Sequence, residues 1–234
     1  GYGADLIRSG RCKAALCGGG EALSELTFGG FNSLKAMDPF PCKPFDRKRA
    51  GMSLGEGAGI LILEDFDEAL KRGVKIYAEF LGYGIGGEAY HITAPEPTGM
   101  SEARIMEETL EEAEIDPSDV DYVNAHGTGT PLNDKVESLS IKNVFKERAY
   151  SIPISSIKSM VGHCLGSAGA IEAIASILSM VHQFIPPTVN HQEGDEDCDL
   201  DYVSGKSRKM GVKIVLSNSF AFGGNCTTLV FRKV

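Results

Sequence analysis

The chain has no C-x-x-C pair, no apolar run of membrane-spanning length and no excess of positive charge. Each absence removes a class of protein. The cysteines (Cys12, Cys17, Cys42, Cys164, Cys198 and Cys226) follow no framework spacing, so they read as reduced, cytosolic thiols rather than a disulfide scaffold. The longest apolar stretches are broken by Gly, Ser or charge well before the ~20 residues of a transmembrane helix, so no membrane span is expected. A net charge of −9 argues against a nucleic-acid surface. Basic clusters at Arg47-Lys48-Arg49 and at 206–209 read as solvated loops, with docking of an acidic partner as the alternative. The histidines His91, His126, His163, His182 and His191 contain no H-x-x-x-H, so no metal centre is expected. The sequence opens on glycine rather than methionine, and no signal peptide is expected. The chain opens on Gly1-Tyr2-Gly3 and enters a helical pattern at once, as the middle of a longer protein would.

What remains is an alternation of strand and helix patterns, an α/β chain. Strands are expected at 14–17, closed by three glycines, and at 59–63, a continuous apolar run suited to a strand covered on both faces. Helix 65–72 follows, with acids in its first turn, Lys71 and Arg72 in its last and Gly73 as its stop. Then come strand 76–81, helix 101–113, strand 120–125, helix 134–145, strand 154–158 and helix 167–181. Two strands, 213–217 and 227–231, close the order across a Phe-Ala-Phe-Gly-Gly turn. Helix 167–181 carries Ile171, Ile174, Leu178 and Val181 with alanines between, a pattern for burial nearly all round. Residues 1–75 read as the tail of the same order that residues 76–234 complete. This suggests a duplicated fold whose first half is truncated.

Gly82-Tyr83-Gly84-Ile85-Gly86-Gly87 matches G-x-G-x-x-G. A dinucleotide site needs that motif to open a helix. Here prolines follow, so the glycines are assigned to a bending strand.

The chemistry concentrates in Asn124-Ala125-His126-Gly127-Thr128-Gly129-Thr130 and in 156–163, which ends in His163. Each delivers a histidine from a strand end into a glycine-rich turn. His163 precedes a helix start, whose N-terminus disfavours imidazolium. Lys158, at a strand end, needs a carboxylate, and Asp134 and Glu137 are nearest by topology. Two neutral imidazoles and a lysine in one pocket suit carbon–carbon bond chemistry on a thioester. No cysteine or serine sits where the nucleophile should be. Cys164 adjoins His163, but consecutive helical residues do not face each other, so it reads as a core residue.

Together with Pro44-Phe45-Asp46-Arg47, Gly55-Glu56-Gly57-Ala58-Gly59, Tyr90-His91-Ile92-Thr93, the PPTVN run at 186–190 and NSFAFGGNC at 218–226, these segments resemble the C-terminal part of the elongating β-ketoacyl-[acyl-carrier-protein] synthases. The resemblance covers essentially every residue. It implies a thiolase-like, layered αβαβα fold and decarboxylative condensation of an acyl-enzyme thioester with malonyl-acyl-carrier-protein in fatty acid elongation. The cysteine nucleophile is implied upstream of residue 1, and the isolated chain is expected to be inactive. His126 and His163 would promote loss of carbon dioxide and stabilise the enolate. The Phe222 N–H would serve an oxyanion hole. Lys158 would set the electrostatics through Asp134 and Glu137. Thr93, Thr128 and Thr130 would line a phosphopantetheine channel, and Phe220 and Phe222 would gate the acyl pocket. The implied partners are acyl carrier protein, a second copy in a homodimer and the upstream half, in the cytoplasm, with neither nucleic acid nor membrane. No cofactor is implied beyond the carrier's phosphopantetheine, although Asn124, Glu172 and Ser217 would suit a structural cation. The chain has Ala221 where the family's Phe-Gly-Phe has glycine, which adds a Cβ at the gate. Asn225-Cys226 stands where the family usually has Thr-Asn. A polyketide ketosynthase and a non-catalytic, chain-length-setting partner subunit are the competing readings.

Overall fold

The computed structural model describes residues 1–234. The elements in chain order are α1 (Tyr2–Arg8), β1 (Ala14–Glu21), α2 (Glu25–Ser33), β2 (Gly57–Glu64), α3 (Phe66–Arg72), β3 (Glu79–Gly87), α4 (Met100–Glu112), β4 (Tyr122–Asn124), α5 (Pro131–Phe145), β5 (Ile154–Ser155), α6 (Lys158–Val161), α7 (Ala168–His182), β6 (Phe184–Ile185), β7 (Arg208–Lys209), β8 (Ile214–Ala221) and β9 (Asn225–Arg232).

A mixed sheet in the order β3-β9-β8-β4-β5 forms the centre, and β1 pairs antiparallel with β2 in a second sheet. The side chains of α4, α5 and the central sheet form the main core, which includes Met106, Leu110, Val123, Ile141, Ile154, Leu216 and Val230. On the other face, Ala173 and Met180 of α7 pack with Tyr122, Val215 and Phe231. Helix α7 also contacts β1 and β2. The layers therefore run α4/α5, central sheet, α7 with α1, then β1–β2.

The far face of β1–β2 is bare. Leu16, Ile60 and Ile62 are 75%, 60% and 74% exposed. The expectation that 59–63 is covered on both faces is corrected: alternate residues point away from α7, and no helix of this chain lies over them. The apolar stripe expected to bury α7 is corrected too. Its buried residues are Ala168, Glu172, Ala173, Ser176, Ser179 and Met180. Small side chains let the helix approach the central sheet, while Ile171 and Ile174 lie against Gly57 and Gly59 of β2. The expectation that no apolar stretch reaches membrane-spanning length is corrected: Leu165–His182 has the length and apolar composition of a membrane helix, and it packs between two sheets.

The glycines belong to strands. In β1, Gly18–Gly20 continue the pairing with Ala58–Ile60 of β2 instead of ending it. Strand β3 starts later than expected and includes the G-x-G-x-x-G segment, paired along β9 with a register shift between Phe80 and Gly82. A Cβ at Gly84 would lie 2.2 Å from Thr109 Oγ1, and one at Gly86 2.2 Å from Ile105 Cδ1. Those glycines bring α4 onto the strand. Helix α3 ends as expected, with Asp65 capping its start and Gly73 left-handed at its stop (φ 65°). All six cysteines are free.

Candidate active site

Strand β4 ends at Asn124, and His126 follows it into a turn that α5 closes. The turn is held by carboxylates. Glu137 accepts the His126 and Gly127 N–H groups at 2.7 and 2.8 Å. Asp134 accepts those of Phe45 and Gly129 at 2.7 and 3.1 Å. Gly127 has φ 40°, and a Cβ there would meet Ser156 Cβ at 2.5 Å, so glycine is required. Burial pushes the Glu137 carboxyl up to about 7, opposed by the two N–H bonds it accepts. Burial also raises that of Asp134.

Lys158 opens the short helix α6 rather than ending a strand, and its side chain is only 1% exposed. Its ammonium is paired with Glu172 of α7. The expected pairing with Asp134 and Glu137 is therefore corrected. Both acids fold back onto the turn that precedes their own helix, whereas Lys158 faces α7. The remaining Lys158 bonds go to the His126 carbonyl at 2.5 Å and to His126 Nδ1 at 3.2 Å. Three acceptors match the three N–H bonds of an ammonium group.

His163 leaves α6 through Gly162. Its backbone is bridged to the loop before β2, with His163 N–H donating to Ser53 O at 2.7 Å and Gly55 N–H donating to His163 O at 3.1 Å. The Leu165 N–H donates to His163 Nδ1 at 3.2 Å. The two imidazoles meet edge to face, with centroids 5.3 Å apart and planes at 83°. Lysine can only donate to His126 Nδ1, and an amide can only donate to His163 Nδ1. Both rings are thus assigned the Nε2–H tautomer, leaving Nε2–H as the free donor. Burial, and then the Lys158 charge, hold His126 well below its ordinary value and lower His163 to about 3. The neutrality expected from a helix N-terminus has these other causes.

Both rings line a cavity of about 920 Å³, whose wall also includes Thr93, Thr128, Thr130, Phe220 and Phe222. Thr128 and Thr130 hydroxyls bond each other at 2.9 Å. Phe220 is buried against the His126 ring, with centroids 5.8 Å apart. Phe222 is 42% exposed on the β8–β9 turn, beside Phe31 of α2. Gly223 and Gly224 make that turn with positive φ, and it is pinned by Gly223 N–H to Ile92 O (2.7 Å) and Glu88 N–H to Gly224 O (2.9 Å). The Phe222 N–H has no partner within the chain. Cys164 is buried, and burial raises its thiol. Asn124 Nδ2 donates to Ser217 Oγ at 3.1 Å, while Glu172 keeps one oxygen, Oε2, without a partner.

The Arg47–Arg49 cluster is largely neutralised internally: Lys48 pairs with Glu193 and Arg49 with Asp195. Sequence reasoning missed Glu172 as the counter-ion of Lys158. An acid inside an Ala/Ile helix was the available signal, since such a group needs a cation.

Two family descriptions match the chain: "Beta-ketoacyl synthase, N-terminal domain" over residues 2–69 and "Beta-ketoacyl synthase, C-terminal domain" over residues 77–192. The 3-oxoacyl-[acyl-carrier-protein] synthase 2 of Synechocystis sp. is 47% identical over 97% of this chain and 56% of that protein. A solved structure of the ishigamide ketosynthase/chain length factor is 44% identical, with a TM-score of 0.96 over 100% of this chain and 57% of the other. A type II polyketide ketosynthase solved with its acyl-carrier protein is 41% identical, with a TM-score of 0.98 over 100% of this chain and 59% of the other. The chain thus spans little more than half the length of these relatives. Its segments align throughout with the thiolase-like ketosynthases, and the chain belongs to the β-ketoacyl synthase family.

Proposed function

We propose that the full-length protein condenses an acyl thioester with malonyl-acyl-carrier-protein, with loss of carbon dioxide, in fatty acid elongation. The observation that carries this reading is the pair of neutral imidazoles, each with Nδ1 occupied and Nε2–H left free beside one cavity. A cysteine from a segment outside this sequence attacks the acyl thioester of the carrier and keeps the acyl group as a new thioester, while the carrier's phosphopantetheine thiol leaves with the proton. The malonyl carbon–carboxylate bond then breaks, carbon dioxide leaves, and the electron pair moves onto the thioester oxygen as an enolate. His126 and His163 hold that oxyanion by Nε2–H donation, without needing to surrender a proton. The enolate carbon attacks the acyl thioester, and the cysteine sulfur departs as thiolate. The unpartnered Phe222 N–H, with the N–H of the nucleophile, receives the oxyanion of that second step. Lys158 keeps His126 in its tautomer and stays neutralised by Glu172. Thr93, Thr128 and Thr130 receive the phosphopantetheine arm, and Phe220 and Phe222 separate it from the acyl chain.

Acyl carrier protein, a second copy of the chain and the cytoplasm complete the proposal. Asn124, Ser217 and the orphaned Glu172 Oε2 offer hard oxygen donors that fit a structural cation. A polyketide ketosynthase is the second reading, favoured by the 0.98 TM-score with such an enzyme. A non-catalytic partner subunit has no need of both histidines and Lys158.

The test is carbon dioxide release from malonyl-acyl-carrier-protein by the full-length protein. Replacing His163 with alanine should abolish it, and unchanged release would refute the role. Comparing saturated acyl with polyketo-acyl acceptors separates the fatty acid from the polyketide reading.

A further inference from the structure

The turn that carries His163 is gripped by the segment that precedes it in sequence by more than a hundred residues. The His163 backbone is bridged to Ser53 and Gly55, and Gly166 N–H donates to Glu21 Oε2 at 3.0 Å. Glu21 is the last residue of β1, beside the glycine row that brings this strand against the turn. A Cβ on Gly19 would lie 2.3 Å from the Gly166 carbonyl oxygen, so the two backbones touch. Between the two grips sits Leu165, whose φ of 40° lies in the left-handed region, which a branched side chain rarely adopts. Just before it, the Cys164 backbone (φ −84°, ψ 23°) turns the Leu165 N–H onto His163 Nδ1. Ser167 closes the turn, with both N–H and Oγ donating to Cys164 O at 2.9 Å.

We infer that Glu21 is a positioning residue for His163, an inference that rests on the condensing role proposed above. Its carboxylate is the side-chain member of the grip. It holds Gly166 and so fixes the far end of the turn, which keeps the Leu165 N–H on Nδ1 and Nε2 the protonated nitrogen. Without it the turn relaxes toward ordinary backbone angles and the Leu165 N–H leaves the ring. His163 then populates the Nδ1–H tautomer, which has no donor to offer the enolate oxygen.

The experiment uses the full-length protein with ¹⁵N-labelled histidine, the His163 ring resonances being identified by their loss in His163→Gln. In the parent and in Glu21→Gln, whose amide oxygen still accepts from Gly166, the His163 ring should show protonated Nε2 and bare Nδ1. In Glu21→Ala and Glu21→Met a substantial Nδ1–H population should appear. Malonyl decarboxylation should fall about tenfold in kcat with KM within twofold, while acyl transfer to the nucleophile, which precedes enolate formation, stays within twofold. Glu21→Met fills the side-chain volume and decides the matter if Glu21→Ala does not fold. The inference is overturned if the tautomer is unchanged in the Ala and Met variants, or if Glu21→Gln loses the tautomer equally. A changed tautomer in a protein that never decarboxylates malonyl thioesters would uphold the positioning and refute the condensing role instead.

Discussion

Replacing Glu172 with glutamine tests where the charge of Lys158 is balanced. Both side chains are almost wholly buried, 1% and 2% exposed, so solvent cannot substitute for the lost carboxylate. Removing one partner of such a pair leaves an uncompensated buried ion, which costs about 3–5 kcal/mol. Asp134→Asn makes the contrast. Asp134 is buried but holds backbone N–H groups of Phe45 and Gly129, and an amide oxygen can still accept one of them. Its loss should cost about 1–3 kcal/mol, the range for a buried hydrogen bond left unmade. Urea unfolding of the full-length protein at neutral pH compares the two. A Lys158→Met, Glu172→Met double variant removes both ions and should recover most of the stability lost in Glu172→Gln, since apolar replacement of a buried pair is often neutral. If Glu172→Gln stays within about 1 kcal/mol of the parent, or Asp134→Asn costs more, the pairing of Lys158 with Glu172 does not govern the site.

Three other outcomes are expected. His163 is lowered to about 3 from its ordinary 6.5, so the unfolded chain binds more protons in that window and stability falls as pH falls through it. The loss approaches about 1.4 kcal/mol per pH unit, and His163→Gln should flatten the slope of unfolding free energy between pH 7 and 5; identical slopes would count against the shift. The Glu137 carboxyl, raised to about 7 from 4.5, has the opposite sign, costing stability as pH rises through that range, and is common to both proteins. Gly127→Ala places a Cβ 2.5 Å from Ser156 Cβ at a φ of 40° and should destabilise by roughly 3 kcal/mol, read by thermal unfolding. The 234-residue polypeptide alone should show no condensation in a product assay, and activity from it would place the nucleophile within these residues.

Much of this architecture was legible because periodicity and punctuation agreed. Asp65 and Gly73 marked α3, and α5 was expected at 134–145, three residues inside its observed start at Pro131. Strands β1 and β3 were misplaced because glycine ordinarily weakens a strand. Here Gly19, Gly84 and Gly86 are where another backbone or helix comes closest, a property of the partner surface rather than of the strand. Helix α2 carries Gly29 and Gly30 and buries no residue, so it had no apolar stripe to reveal it. In the site, the histidines and threonines stood in compact motifs and converge on one cavity. The Lys158–Glu172 pair joins two helices that only the tertiary fold sets face to face. The Leu165 amide that selects the His163 tautomer leaves no trace in residue identity at all.

The uncovered side of β1–β2 has a practical consequence. Leu16, Ile60 and Ile62 form an oily ribbon with open strand edges, and such a surface invites pairing between copies in the test tube. Purified by itself, this stretch of polypeptide will self-associate and take up hydrophobic dyes.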